Sequence, residues 1–400
     1  MRLHVLTNLF PPDVLGGYEL LAADVVGRLR ARGHTITVVT SGQRGGDAEV
    51  ARILHLSRRF SERASADRLR HVAVAVANRV ALGRFMAVEG RPDAVLVMSM
   101  RRLGLEPLRV YADADVPAVL TVNDDWPVSY ARSAGATPLQ RVLDRAFRRN
   151  TWDGLPVSRV VYLSDRIREF VRASGAPLPD GPVRAQGVDL AHFHPRPFVP
   201  MSATATKLLF VGRLHPTKAP DVAIDTLIAL RARGVDASLT IAGAANDSAY
   251  WSELRARAQP VADHVLWLSH IARTRLRDVY ASADVLLYPL RWDGEAQGLT
   301  YMEAMATGVP VVAFPRGGAR ELLDAHDVVG RAASCDGHSF ADAITALAGD
   351  VARQRALVRG GQSLVREHAS LDRYVDALES ELACAVKATD TNNIKKGEAA

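Results

Sequence analysis

The chain has 400 residues, 48% of them apolar, which exceeds what one hydrophobic core comfortably organises and predicts two domains. No apolar run approaches about 18 residues, and the opening MRLHVLTNLFPP lacks a signal-peptide core, so neither a spanning helix nor secretion is expected and the location reads as cytoplasmic. Net charge is +6 and the pI about 9.5, but 45 of the 50 basic residues are arginine beside abundant alanine; basicity is then partly a high-G+C codon habit, and nucleic acid is not expected as a partner.

Short β-branched runs alternate with longer amphipathic ones along the chain. The first strand, in LHVLTNLF, leads to a turn at Gly16 and Gly17 and a helix beginning near Tyr18. Two glycines let a loop close over phosphates, although Gly-Gly before a helix is common. GGYE, ending in Glu19, is not the GxGxxG of dinucleotide binding, which counts against a dehydrogenase. TITVVTS is the next strand. Residues 51 to 85 interleave apolar positions with Arg58, Arg59, Arg63, Arg68 and Arg70, and read either as a helix with a solvated basic face or as a contact for anionic lipid or acceptor. DAVLVMS, PAVLTVND and RVVYLSD are further strands, and the loops holding Arg101, Arg102, Asn123, Asp124 and Trp126, together with Glu19, are expected to line an acceptor pocket.

Residues 192 to 206, with three prolines and no periodicity, mark a boundary. The alternation then restarts with KLLFVGRL, a helix from about 219 to 233, ASLTIAGA, HVLWLSHI, DVLLYPL and VPVVAFP. The expected organisation is an α/β protein of two doubly wound parallel-sheet domains, 1–195 and 196–370, a final helix over 371–388 and a disordered polar tail over 389–400. Two such sheets bind ligand at the carboxyl ends of their strands, in a cleft between the domains. Cys335 and Cys384 have neither disulfide nor metal spacing, and no structural metal is expected.

Two segments of the second domain carry chemistry. In FVGRLHPTKAPD a strand ends at Gly212 and is followed by Arg213 and Lys218, a fork and a point charge suited to a diphosphate. Only five residues of the chain are lysine, so one retained here is informative. In RWDGEAQGLTYMEAMATGVPVVAFP a loop precedes a helix from about Gly298 to Thr307, whose first-turn amides, near Leu299 and Thr300, form an anion site. Glu303, about one and a half turns in, leans back to within roughly 5 to 8 Å of that anion, the offset of a ribose diol. Glu295, on the other side, reaches the group on the far phosphate. The small and apolar neighbours in YMEAMAT predict that Glu303 is buried.

FPPDVLGGYE, VSRVVYLSD, GVDLAHFHP, FVGRLHPTKAPD and EAQGLTYMEAMATGVPVVAFPRGG, in this order, resemble the retaining glycosyltransferases of family 4, which have the GT-B fold of two Rossmann-like domains. The likeness covers about residues 1 to 388. It implies that Arg213 and Lys218 bind the donor diphosphate, Glu303 the ribose and Glu295 the transferred sugar, that the Gly-Gly loop approaches the phosphates, and that the last helix returns to the first domain. It further implies a nucleotide diphosphate sugar as co-substrate, UDP by family frequency, and no metal or other cofactor. Loop backbone near His270 and Ile271 is expected to read the base. The chain departs from the family at Ala219, where many members have glycine, and at Asn123, where many have histidine. Asparagine cannot titrate; the adjacent Asp124 reads as a proton acceptor, a hydrogen-bonding partner of sugar or acceptor, or a structural turn. A sugar-nucleotide epimerase or hydrolase, and an inactive nucleotide-sugar binder, are the competing functions.

Overall fold

The computed structural model describes residues 1–14, 16–42, 47–57, 68–131, 151–245, 247–269 and 271–398, with backbone alone for 68, 69, 71, 72 and 392–398. The chain divides into two compact units, Met1–Arg184 with Asp372–Ala400, and Ala185–Leu371.

In the first unit β1 (Arg2–Leu6), β2 (Thr35–Ser41), β3 (Val50–Leu54), β4 (Ala94–Val97), β5 (Ala118–Val122) and β6 (Arg159–Tyr162) form one sheet in the order β3-β2-β1-β4-β5-β6. Every neighbouring pair is parallel. Because side chains alternate along a strand, Leu6, Val39, Val95, Val97, Leu120 and Val122 join one core with Tyr111 and Trp126, while Val5, Val38, Leu96 and Val119 are buried on the other face. Burial on both faces explains why these strands read as continuous apolar runs.

Two expectations are corrected here. Residues 51–54 of the basic segment belong to edge strand β3, not to a helix, and the helix begins at Arg68 and runs to Glu89. β-branched Val50 and Ile53 favour the strand, and pairing with β2 decides it. Arg58, Arg59 and Arg63 lie outside the described residues; Arg70 is exposed. At the other end, the helix Leu371–Glu398 continues through residues expected to be a tail. It is fastened within the first unit by Arg28, which pairs with Asp372, by Arg32, 2.7 Å from Asp376 and 2.8 Å from Glu379, and by His34, 2.8 Å from Glu379. Arg159 adds a contact of 2.8 Å to Glu381.

The second unit repeats the design. β7 (Ala205–Val211), β8 (Asp236–Ala242), β9 (Val265–Leu268), β10 (Val285–Pro289), β11 (Val311–Phe314) and β12 (Gly330–Arg331) pair in parallel in the order β12-β11-β10-β7-β8-β9. The two-residue β12 carries too little pattern to be read from sequence. Successive residues of β7 feed opposite cores: Leu208 and Phe210 pack with Leu239, Ile241 and Leu287, and Leu209 with Leu286, Tyr288 and Val311. The unit begins and ends at one paired point, where the Val188 amide donates to the Ala369 carbonyl at 2.8 Å and the Leu371 amide to the Val188 carbonyl at 2.9 Å.

Counted from its own first strand, each sheet has the order 3-2-1-4-5-6, which reverses between the first and fourth strands. Such a reversal leaves an opening at the carboxyl ends of those strands, because their following connections run to opposite faces. In the first unit the opening lies beyond β1 and β4, in the second beyond β7 and β10.

Candidate active site

In the second unit, the loops leaving β7 and β10 are the two segments singled out from sequence. Beyond β7, Gly212 has φ +156° and Arg213 is exposed, with no ion pair or side-chain hydrogen bond among the described residues. A 3₁₀ turn, Pro216–Lys218, then carries the lysine, and Ala219 follows at φ 52°, ψ 49° before the helix Pro220–Ala232. That left-handed conformation is the physical reason glycine suits this position; alanine is tolerated with a small steric penalty.

Beyond β10, the loop brings Glu295 to Lys218: the ammonium donates to Oε2, and the two side chains are only 18% and 15% exposed. Glycine is required at 298, where φ is +82° and a Cβ would lie 2.5 Å from the Tyr288 hydroxyl. The helix Thr300–Thr307 follows, starting two residues later than the expected Gly298. Leu299 precedes it without a side-chain cap, so the first-turn amides are left for another acceptor. Thr300 and Leu299 are half-buried.

Glu303 is 5% exposed, as its neighbours predict, and it is not unpartnered. The Tyr280 hydroxyl donates to its Oε2 at 2.8 Å, and Arg273 Nη1 lies 3.9 Å from its Oε1. Burial, and then the negative charge of Glu303, raise the Tyr280 phenol well above its ordinary value, so it remains a donor. Sequence reasoning missed both Tyr280 and Arg273, which come from the helix Arg273–Ala281, a segment whose pattern signals only an amphipathic surface helix. Ile271 is half-buried ahead of that helix, and His270 lies outside the described residues.

His215 reports the local field. Its imidazole is lowered below the ordinary value by burial, then by the positive charge of Arg213, with Lys218 adding to this and Asp247 opposing it. Removing Arg213 removes one of the lowering charges. The His215 titration midpoint, followed by NMR, should therefore rise in Arg213→Ala; an unchanged midpoint would show that the guanidinium does not bear on this loop.

The first unit's opening is organised around Met98. Its carbonyl accepts from the Tyr18 hydroxyl, on the helix Gly17–Ala31, and from Asn123 Nδ2 at 3.4 Å. Asn123 Nδ2 also donates to Thr121 Oγ1 at 3.0 Å, and its Oδ1 is buried without a hydrogen-bond partner among the described residues. Glu19, expected in the acceptor pocket, is 5% exposed and accepts from the Gly16 amide at 3.0 Å, fixing the glycine turn; Gly17 is exposed. Asp124 accepts from the Trp126 amide at 2.8 Å and lies 3.1 Å from Arg101, which also pairs with Asp125. Burial alone would lower Arg101, but Asp124 and Asp125 hold its guanidinium above the ordinary value. The contact from the Trp126 amide to Asp124 Oδ1 closes a local turn. Trp126, also expected at the pocket, is fully buried in an aromatic cluster with Tyr130 and Trp152. Arg102, at φ 67°, turns the loop between Arg101 and the helix Glu106–Asp113.

No group of three or more His, Cys, Asp or Glu among the described residues could hold a metal ion. Two doubly wound parallel sheets of this order have the architecture of the GT-B fold. Residues 15–209 match "Glycosyltransferase Family 4" and residues 205–350 match "Glycosyl transferases group 1"; the chain belongs to the family 4 retaining glycosyltransferases. It is 29% identical, over 97% of its length and 99% of the relative's, to the GDP-mannose-dependent alpha-(1-6)-phosphatidylinositol monomannoside mannosyltransferase of Mycobacterium tuberculosis. It is 32% identical to D-inositol 3-phosphate glycosyltransferase 2 of Catenulispora acidiphila, over 63% of this chain and 58% of that one. Among solved structures, sucrose-phosphate synthase from Thermosynechococcus elongatus superposes with a TM-score of 0.72 at 18% identity, covering 97% of this chain and 99% of that chain. Anabaena HepE in complex with UDP and glucose superposes at 0.69 and 16%, covering 96% and 100%. These two likenesses show the fold.

Proposed function

We propose that the protein transfers a hexosyl unit, with retained anomeric configuration, from a nucleotide diphosphate sugar to the hydroxyl of an inositol-bearing acceptor. The observation that carries this reading is the meeting of Lys218 and Glu295 across the two loops at the second sheet's switch point, with the exposed Arg213 and the uncapped helix amides beside them. In this reading Lys218, Arg213 and the amides near Gly298 and Leu299 take the developing charge of the leaving diphosphate, Glu295 contacts the sugar and Glu303 the ribose. No metal is required, because the cations and the helix terminus supply the electrostatics. Asp124 holds Arg101 instead of taking a proton, and Asn123 Oδ1 is available to a sugar or acceptor hydroxyl.

The donor base is UDP on family frequency and GDP on the likeness to a GDP-mannose-dependent enzyme that covers nearly the whole chain. Inositol occurs in the names of both relatives above, which supports the acceptor class. A lipid-linked acceptor is further supported by the helix Arg68–Glu89, which exposes Val76, Val80 and Val88 at 55%, 46% and 83%, with Arg70 and Arg84 also exposed. Binding to vesicles containing phosphatidylinositol at low salt is expected; its absence would move the acceptor to a free inositol.

Calorimetric titration with UDP, GDP, ADP and dTDP in EDTA tests the donor reading. One nucleotide should bind without metal, and Arg213→Ala should weaken it. If none binds, the diphosphate assignment fails; if binding appears only on adding Mg²⁺, the metal-independent mechanism fails.

A further inference from the structure

A second ion pair spans the same two loops as Lys218 and Glu295, in the opposite sense. Asp221, three residues after Lys218 in the first turn of the helix Pro220–Ala232, is 7% exposed. Arg291, four residues before Glu295, meets it with both guanidinium arms, Nη1 to Oδ1 at 2.7 Å and Nη2 to Oδ2 at 2.6 Å. The Tyr250 hydroxyl donates to the same Asp221 Oδ1 at 3.0 Å, and the Arg291 amide donates to the Thr217 carbonyl at 3.1 Å. The loop after β7 thus contributes a cation and then an anion, the loop after β10 a cation and then an anion, and the pairs join crosswise.

The two pairs are built differently. Lys218 holds Glu295 by one flexible ammonium, a contact that a diphosphate can replace. Asp221 holds Arg291 by a planar two-point contact braced by a tyrosine, which fixes direction as well as distance. We propose that Asp221 and Arg291 are a positioning pair: they keep the two loops in register while Lys218 turns from Glu295 to the donor diphosphate. Neither residue touches the donor in this arrangement. The inference rests on Lys218 binding the diphosphate, as argued above.

The test is a double-mutant cycle read by calorimetry, with UDP and GDP as probes. Asp221→Asn should weaken binding of the preferred nucleotide about 10-fold in the wild-type background and by less than about twofold in Lys218→Ala, because no ammonium is then left to position. A purely structural role would give the same loss in both backgrounds, and equal losses, or none in the wild-type background, overturn the proposal. Arg291→Gln reaches the pair from its more exposed side and should reproduce the result, while Arg291→Lys, which keeps the charge without the two-point contact, should not restore full affinity. If Asp221→Asn does not fold, the Arg291→Gln cycle decides the question alone. If Lys218→Ala itself leaves nucleotide affinity unchanged, the diphosphate reading fails, and the positioning pair fails with it.

Discussion

Lys218→Ala is expected to lower turnover by about 10²- to 10³-fold, the usual effect of removing one donor that stabilises charge developing in a group-transfer step. The ammonium lies where two loops converge beyond β7 and β10, and its side chain is 18% exposed, so solvent screens it less than a surface lysine. The fall should be in kcat more than in KM, since the leaving diphosphate gains charge as the glycosidic bond breaks and a cation there acts most strongly on the transition state. Glu295 is the natural control. If its pairing with Lys218 only restrained a surface loop, Glu295→Gln and Lys218→Ala would be equally mild. Turnover of Lys218→Ala within about threefold of wild type, measured at saturating donor, would remove Lys218 from the mechanism.

The second large effect is expected at Glu303. If its carboxylate accepts from a ribose diol, Glu303→Gln should weaken UDP or GDP binding by about 10- to 100-fold, the range for a hydrogen bond to a charged group. The sharper readout compares ribo- and deoxyribonucleotides. Wild type should prefer UDP to dUDP, and Glu303→Gln should bind the two nearly alike, because the variant has lost the acceptor that distinguishes them. The amide can still accept from Tyr280, which holds the present carboxylate at 2.8 Å, so the side chain's position should survive. Retained discrimination in the variant would place ribose recognition elsewhere.

The alternation of apolar runs was enough to read two parallel sheets, because strands buried on both faces leave continuous signals such as AVLV and VLLYP. Where the signal was diluted, reading failed: VARIL contains an arginine and precedes an arginine-rich stretch, so its strand was absorbed into a helix. Glu303's burial followed from local sequence, since Met, Ala and Tyr around it leave no exposed face on that helix. Its partner did not, since Tyr280 is 23 residues away on a different helix, and a pairing at that distance leaves no periodic trace. Arg291 and Asp221 are separated by 70 residues, and both were read past because each lies beside a more conspicuous residue. Trp126 shows the converse error. Its loop was expected to line an acceptor pocket, yet the nearby Tyr130 and Trp152 draw its ring into the core.

The first unit is interrupted: its chain leaves after Arg184 and resumes at Asp372. During synthesis, then, the ribosome makes the whole second unit before the helix whose Asp372, Asp376 and Glu379 meet Arg28, Arg32 and His34. All six strands of the first sheet are made before residue 185, so what comes late is the clasp of the last helix. The second unit enters and exits where Val188 pairs with Ala369 and Leu371. The first unit therefore receives its last element only after every residue of the second has been made, and a chain cut short before Glu379 would lack the carboxylate that holds that helix to both Arg32 and His34.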